Sequence, residues 1–250
     1  MTLGAVHPDD RGWTRPTRLT AALYAGKAAA HRARRAALDI VAGPPRFARS
    51  PSPDTDQVLG ESSTPLLSDG TEAELPLQHG KVRNLGVAAL TLDGVAIPAG
   101  GLFSFWRHVG PPTSWRGYVP GRMLQEGCIV PAVGGGLCQL SNALYDVALQ
   151  AGCRIVERHP HSRIVPGSAA ALGRDATVAW NYVDLRFIAD QDLHLIVRLD
   201  GERLVCRLLG APGAVRSPPA PEAPAHIALP APAARSCGSC DQTDCFRHGR

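Results

Sequence analysis

Apolar residues recur at helical spacing in two long stretches of this 250-residue chain. Leu137, Leu140, Leu144, Val147, Ala148 and Ala151 share one face, and Gly152 follows as a stop signal. Residues 17–42 are Ala-rich and set Leu19, Leu23, Ala30, Ala37 and Ile40 among Arg18, Lys27, Arg32, Arg34 and Arg35. Gly43-Pro44-Pro45 ends that run. A third helix is expected from a cap at Asn84, with Leu85, Ala88, Ala89 and Leu92 on one side and Asp93-Gly94 at its end. The same Asp-Gly pair can instead turn a hairpin into Val95-Ala96-Ile97.

Beyond Gly152 the period changes to two. Residues 154–159 and 176–180 alternate, and 184–188 is a further candidate strand. Leu193–Leu199 and Arg203–Leu209, joined through Asp200-Gly201, make the clearest hairpin. The pattern predicts an α+β fold, with one central buried helix packed on a mostly antiparallel sheet.

Composition then divides the chain. Residues 44–76 contain Pro51-Ser52-Pro53-Asp54 and Ser62-Ser63-Thr64-Pro65 with few large apolar groups, and read as a linker with one docking turn at Leu66-Leu67. Residues 212–235 are Pro/Ala-rich without periodicity, a second linker. The expected organisation is a basic helical arm (1–43), a linker (44–76), a core (77–211), the second linker and a Cys-rich tail (236–250).

A net charge of +4, much of it near the amino end, gives no global nucleic-acid footprint. No stretch approaches the roughly 18 apolar residues of a membrane span. The first residues carry His7, Asp9, Asp10 and Arg11 in place of an apolar signal core, so no secretory signal is expected. Seven cysteines, an odd number with three at the carboxyl end, read as reduced thiols plus a metal-type cluster; a cytoplasmic setting is expected.

Candidate chemistry centres on Gly134-Gly135-Gly136-Leu137-Cys138-Gln139-Leu140-Ser141-Asn142. Three glycines deliver Cys138 to the first turn of a helix, where unpaired N–H groups and the helix dipole favour a thiolate. Cys138, then His159 and His161, then Asp175 is an order suited to a nucleophile, a base and an orienting carboxylate. Of the two histidines His161 is preferred, because it leaves the strand. Gly135, Gly136, Gln139, Ser141 and Asn142 are the candidates for an oxyanion hole or substrate contacts, and Arg163, with Arg158 and Arg174, for holding a carboxylate.

Duller readings stand beside these. Cys138 can be a small buried apolar group, Asp175 a turn residue, and the arginines solvated. Cys138, His159, His161 and Asp175 also have donor types suited to zinc. Phe103, Phe105, Trp106, Trp115 and Tyr118 are expected to line the core or a cleft wall, Asn181 and Asp184 to make turn contacts, and Cys128, Cys153 and Cys206 to be buried and inert. In the tail, Cys237, Cys240, Cys245 and His248 give a Cys-x2-Cys-x4-Cys-x2-His spacing that suits Zn2+, with an iron–sulfur cluster as the alternative. Such a tail can also bind a protein partner.

The core resembles the VanW family. The resemblance runs through Arg83-Asn84-Leu85, Ile97-Pro98-Ala99-Gly100, Phe103-Ser104-Phe105 and Gly117-Tyr118. It continues in Gly134 to Tyr145, Glu157-Arg158-His159-Pro160-His161-Ser162, Gly173-Arg174-Asp175-Ala176-Thr177-Val178 and Asp184-Leu185-Arg186-Phe187. The family commonly has a serine where this chain has Asn142. Its link to vancomycin resistance is by name and gene neighbourhood. The residues together imply acyl transfer or hydrolysis on a peptide-like, cell-wall-related substrate, in a papain- or transglutaminase-like arrangement. The competing expectation is a non-catalytic binding or assembly module with a metal-binding tail.

Overall fold

A central sheet follows from the period-two stretches near the carboxyl end, and two smaller sheets flank it. The computed structural model describes residues 17–51, 57–67, 72–125, 128–161, 173–214, 235–236 and 245. In chain order the elements are α1 (Arg18–Ala42), β1 (Gln57–Pro65), α2 (Leu75–Leu92), β2 (Val95–Ile97) and β3 (Leu102–Ser104). Next come α3 (Phe105–Val109), β4 (Pro120–Gln125), β5 (Cys128–Val133) and α4 (Leu137–Gln150). They are followed by β6 (Arg154–Glu157), β7 (Arg186–Ile188), β8 (Leu193–Asp200), β9 (Arg203–Gly210) and β10 (Arg235–Ser236).

The central sheet has the order β1-β9-β8-β2 and is antiparallel throughout. Leu193, Leu195 and Val197 alternate with Leu204, Cys206 and Leu208 to make its buried face. Helix α2 covers that face with Leu85, Ala88 and Leu92, and α4 with Leu140, Leu144 and Val147. Each buried leucine or valine contributes about 1.5–3 kcal/mol, so packing rather than helix propensity fixes where α4 lies. One small sheet is the β4–β5 hairpin with β10 parallel to β5; the other has the order β3-β7-β6. Phe103 and Phe187 stack across the latter at 4.6 Å.

The α+β expectation with antiparallel sheets is met, and several element assignments change. Residues 57–65, expected within a linker, form an edge strand paired along its length with β9. The polar run Glu61-Ser62-Ser63-Thr64 hid it, because strand pairing there uses the backbone and only Leu59 supplies a large buried side chain. Helix α2 starts at Leu75, with Pro76 in its first turn, so Asn84 is an interior residue and not a cap. Residues 176–180 are not a strand; they make a single bridge between Ala179 and Val183.

Trp115 is 80% exposed, whereas Phe103, Phe105, Trp106 and Tyr118 are buried as expected. Asp184 is more than a turn residue. It is buried and accepts hydrogen bonds from the Ser104 hydroxyl at 2.6 Å, the Trp106 N–H at 3.1 Å and the Arg186 guanidinium at 2.8 Å.

Helix α1 meets this core through ion pairs and through Tyr182, which Tyr24 and His31 contact. Arg35 pairs with Glu157 at 2.6 Å and Asp39 with Arg186 at 3.2 Å, while Leu19, Leu23, Ile40 and Val41 stay exposed. No helix among the described residues is long and apolar enough to cross a membrane.

Candidate active site

The turn between β5 and α4 is shaped by what packs against it. A side chain on Gly135 would collide with the Gly121 carbonyl, so β4 approaches the turn directly. Asn84, fully buried on α2, locks the same place. Its side-chain amide donates to the carbonyls of Val119 and Gly135, each at 2.9 Å, and its oxygen accepts from the Val119 N–H at 2.9 Å. Gly136 is the N-cap of α4 with φ +98°, a conformation glycine adopts freely, and no side chain caps the helix. A helix's first N–H groups have no carbonyl of their own, so those of Leu137 and Cys138 are left at the amino end of α4.

Cys138 is half-buried on this first turn, its sulfur 3.7 Å from the Val178 carbonyl oxygen. His161 faces it. The His161 Nδ1 bonds an Asp175 carboxylate oxygen, and the backbone N–H of His161 donates to the other oxygen. The Cys138 sulfur lies near enough to act electrostatically on the same imidazole. With Nδ1 committed to Asp175, Nε2 is the nitrogen left for the sulfur. Burial by itself would lower the pKa of His161. The hydrogen bonds and charges of Asp175 and Cys138 outweigh it and raise the pKa to about 10.

The other cysteines differ. Burial pushes the Cys153 thiol up to about 12 and the Cys206 thiol also up, as expected of inert core residues; Cys128 is buried too.

A scaffold of hydrogen bonds holds the segment carrying Asp175. The Ser141 hydroxyl donates to the Ala176 carbonyl, and the Asn142 side-chain oxygen accepts from the Ala176 N–H at 2.8 Å. The Thr177 N–H donates to the His159 carbonyl at 2.7 Å. Arg158 donates to the Asp175 carbonyl at 2.6 Å and lies over the Tyr145 ring, 5.2 Å from its centroid.

Several sequence candidates therefore have other partners. The His159 Nε2 meets Glu157 at 3.2 Å, and its side chain is 48% exposed. Ser141 and Asn142 position Asp175 instead of facing a substrate. Gln139 donates to the Thr64 hydroxyl at 2.9 Å and the Pro65 carbonyl at 2.7 Å, tying α4 to β1. The Gly135 N–H is bonded to Ala132 at 2.8 Å, so it is not an oxyanion donor. Arg174 pairs with Asp146 at 3.1 Å, and Arg158 is spent on Asp175 and Tyr145.

Arg163, Cys237, Cys240 and His248 lie outside the described residues; Cys245 is described alone and is half-buried. Among the described residues no three His, Cys, Asp or Glu side chains are grouped to hold a metal. The zinc reading of Cys138, His159, His161 and Asp175 fails on this point, because His159 turns to Glu157.

Sequence reasoning missed Lys81. It is buried on α2, with its stem packed against Gly136. A lone lysine in a helical run reads as a solvated face, so no local signal marks it.

A family model described as VanW like protein matches residues 80–208. The chain is 34% identical over 155 residues to the Vancomycin B-type resistance protein VanW of Enterococcus faecalis (strain ATCC 700802 / V583), covering 59% of this chain and 56% of that protein. It is 35% identical over 115 residues to the uncharacterized protein YoaR of Bacillus subtilis (strain 168), covering 46% of this chain and 37% of that one. The matched part is thus little over half of one curated relative and just over a third of the other. No solved structure matches.

Proposed function

The chain belongs to the VanW-like protein family, and from that premise we propose that Cys138, His161 and Asp175 form a thiol-dependent acyl-transfer centre. Its substrates are amides or esters of peptide-like molecules, cell-wall fragments among them. One observation carries the proposal: an imidazole bonded to a buried carboxylate is also under the electrostatic influence of a half-buried thiol on the first turn of α4. That is the arrangement needed to activate a nucleophile and return its proton to a leaving group.

In the proposed reaction the Cys138 sulfur adds to the acyl carbon. The oxyanion meets the N–H groups at the amino end of α4. Protonated His161 passes its proton to the departing amine or alcohol, leaving a thioester. Water or a second amine then attacks, His161 takes the proton, and the thiol is released. Asp175 orients the ring throughout. The order of helix-borne thiol, strand-following histidine and aspartate is also that of papain- and transglutaminase-like folds, an analogy of order that adds support without defining a substrate. The Enterococcus faecalis relative is named a vancomycin B-type resistance protein.

Brief exposure of the native protein to an activated ester such as p-nitrophenyl acetate tests the centre. Mass mapping is expected to find an acetyl group on Cys138 and none on Cys128, Cys153 or Cys206. Cys138→Ser should fold and lose the rapid thioester. A binding module would instead leave Cys138 unacylated, which would sink the proposal.

A further inference from the structure

The acyl-transfer centre leaves one neighbouring cation without a task. Lys81 is only 7% exposed, yet no described residue makes an ion pair or hydrogen bond with its ammonium. Its stem is buried while its nitrogen is not sealed from solvent, so a charge with no partner among the described residues stands where a ligand can reach it.

Its placement points to such a ligand. A Cβ built on Gly136 would lie within 2.8 Å of Lys81 Cβ and 3.0 Å of Cδ, with Cγ nearer still. The lysine stem therefore runs across the residue that caps α4, just ahead of Leu137 and Cys138. Burial, and then the charge of Arg122 on β4, lower the Lys81 pKa to about 8. Arg122 itself pairs with Glu74 at 3.0 Å. Among the described residues, the local balance is an unneutralised ammonium, a helix amino end with no side-chain cap, and no carboxylate against either.

We propose that the Lys81 ammonium forms a carboxylate-binding subsite beside Cys138, next to the α4 N–H groups that meet the oxyanion, so that the acyl donor is a peptide-like molecule with a free carboxylate close to its reacting bond. The proposal rests on the thiol-centred reading. It narrows the substrate class to anionic donors and gives a reason for a buried lysine to lie against a glycine cap. An ammonium on a buried stem, with the positive end of a helix dipole behind it, favours a carboxylate over a neutral amide.

Two alkylating reagents separate this subsite from the thiol centre. Iodoacetate and iodoacetamide both transfer one carbon chain to sulfur with loss of iodide, and neither forms an oxyanion, so their rate ratio reads carboxylate recognition alone. In the full-length protein at neutral pH and low salt, Cys138 is expected to favour iodoacetate. Lys81→Met, which keeps most of the stem, should cut the iodoacetate to iodoacetamide ratio by about tenfold. Lys81→Arg should retain part of it.

A measurement on the unaltered protein stands in if the variants do not fold. Acetate should slow alkylation of Cys138 by iodoacetamide, and equal acetamide with matched chloride should not. An unchanged ratio in Lys81→Met, or no protection by acetate, overturns the subsite while leaving the thiol centre intact. Failure of Cys138 to react with either reagent overturns the thiol centre itself.

Discussion

Asp175 is buried, and both of its carboxylate oxygens are spent on His161. Asp175→Asn keeps the shape and removes the charge. His161 should then fall from about 10 toward its ordinary value near 6.5. Hydrolysis of an ester probe should drop on the order of 10²-fold or more, and the alkaline limb of its pH–rate profile should move to lower pH. The linkage has a definite sign. A raised histidine pKa stabilises the fold fully below about 6.5, and that contribution is lost as pH rises through about 10. The urea midpoints of the protein and of Asp175→Asn should therefore converge as pH climbs across that window; a constant gap would contradict the pairing. This residue-scale pair was partly legible in sequence, because the types and their order were there. The sequence favoured His161 over His159 because it leaves the strand, and the fold adds that His159 is turned to Glu157.

At the scale of elements, α4 does two jobs with two faces. Its apolar face packs on the central sheet, and its polar side holds the segment that carries Asp175. Ser141 and Asn142 look like substrate contacts in sequence because they share a helix with Cys138. In the fold their hydrogen bonds go to Ala176. Replacing both with alanine should cost about 1–3 kcal/mol in urea unfolding, since each lost partner strands a backbone group. It should also slow acylation of Cys138 without changing the sulfur. Unaltered acylation would mean the segment is held by other means. Helix α4 and the β8–β9 hairpin were readable because a buried face repeats along one element. Strand β1 was not, because its pairing with β9 is a backbone property of two segments far apart in sequence.

On the scale of the whole molecule, the core draws in both flanks. Helix α1 attaches by the Arg35–Glu157 and Asp39–Arg186 pairs, and β10 by parallel pairing with β5. The tail beyond β10 keeps its sequence-based prediction. The spacing of Cys237, Cys240, Cys245 and His248 predicts a bound zinc that Cys237→Ser with Cys240→Ser would release. Metal analysis of the purified full chain and this double variant checks it. An equal zinc content would refute the site, and loss of zinc with undiminished Cys138 acylation would separate the tail from the core chemistry.

Sequence alone determined the family resemblance, the helix that presents Cys138, the hairpin of the central sheet and the kinds of residue available for chemistry. These are local facts, written in spacing and in short motifs. Tertiary structure decided which imidazole pairs with Asp175, which polar residues brace that segment, and that Lys81 lies across Gly136. The physical reason is distance along the chain. Asn84 binds the Gly135 carbonyl and Gln139 reaches Thr64 only because separate elements bury their apolar faces against one another. No periodicity within either partner encodes such a meeting.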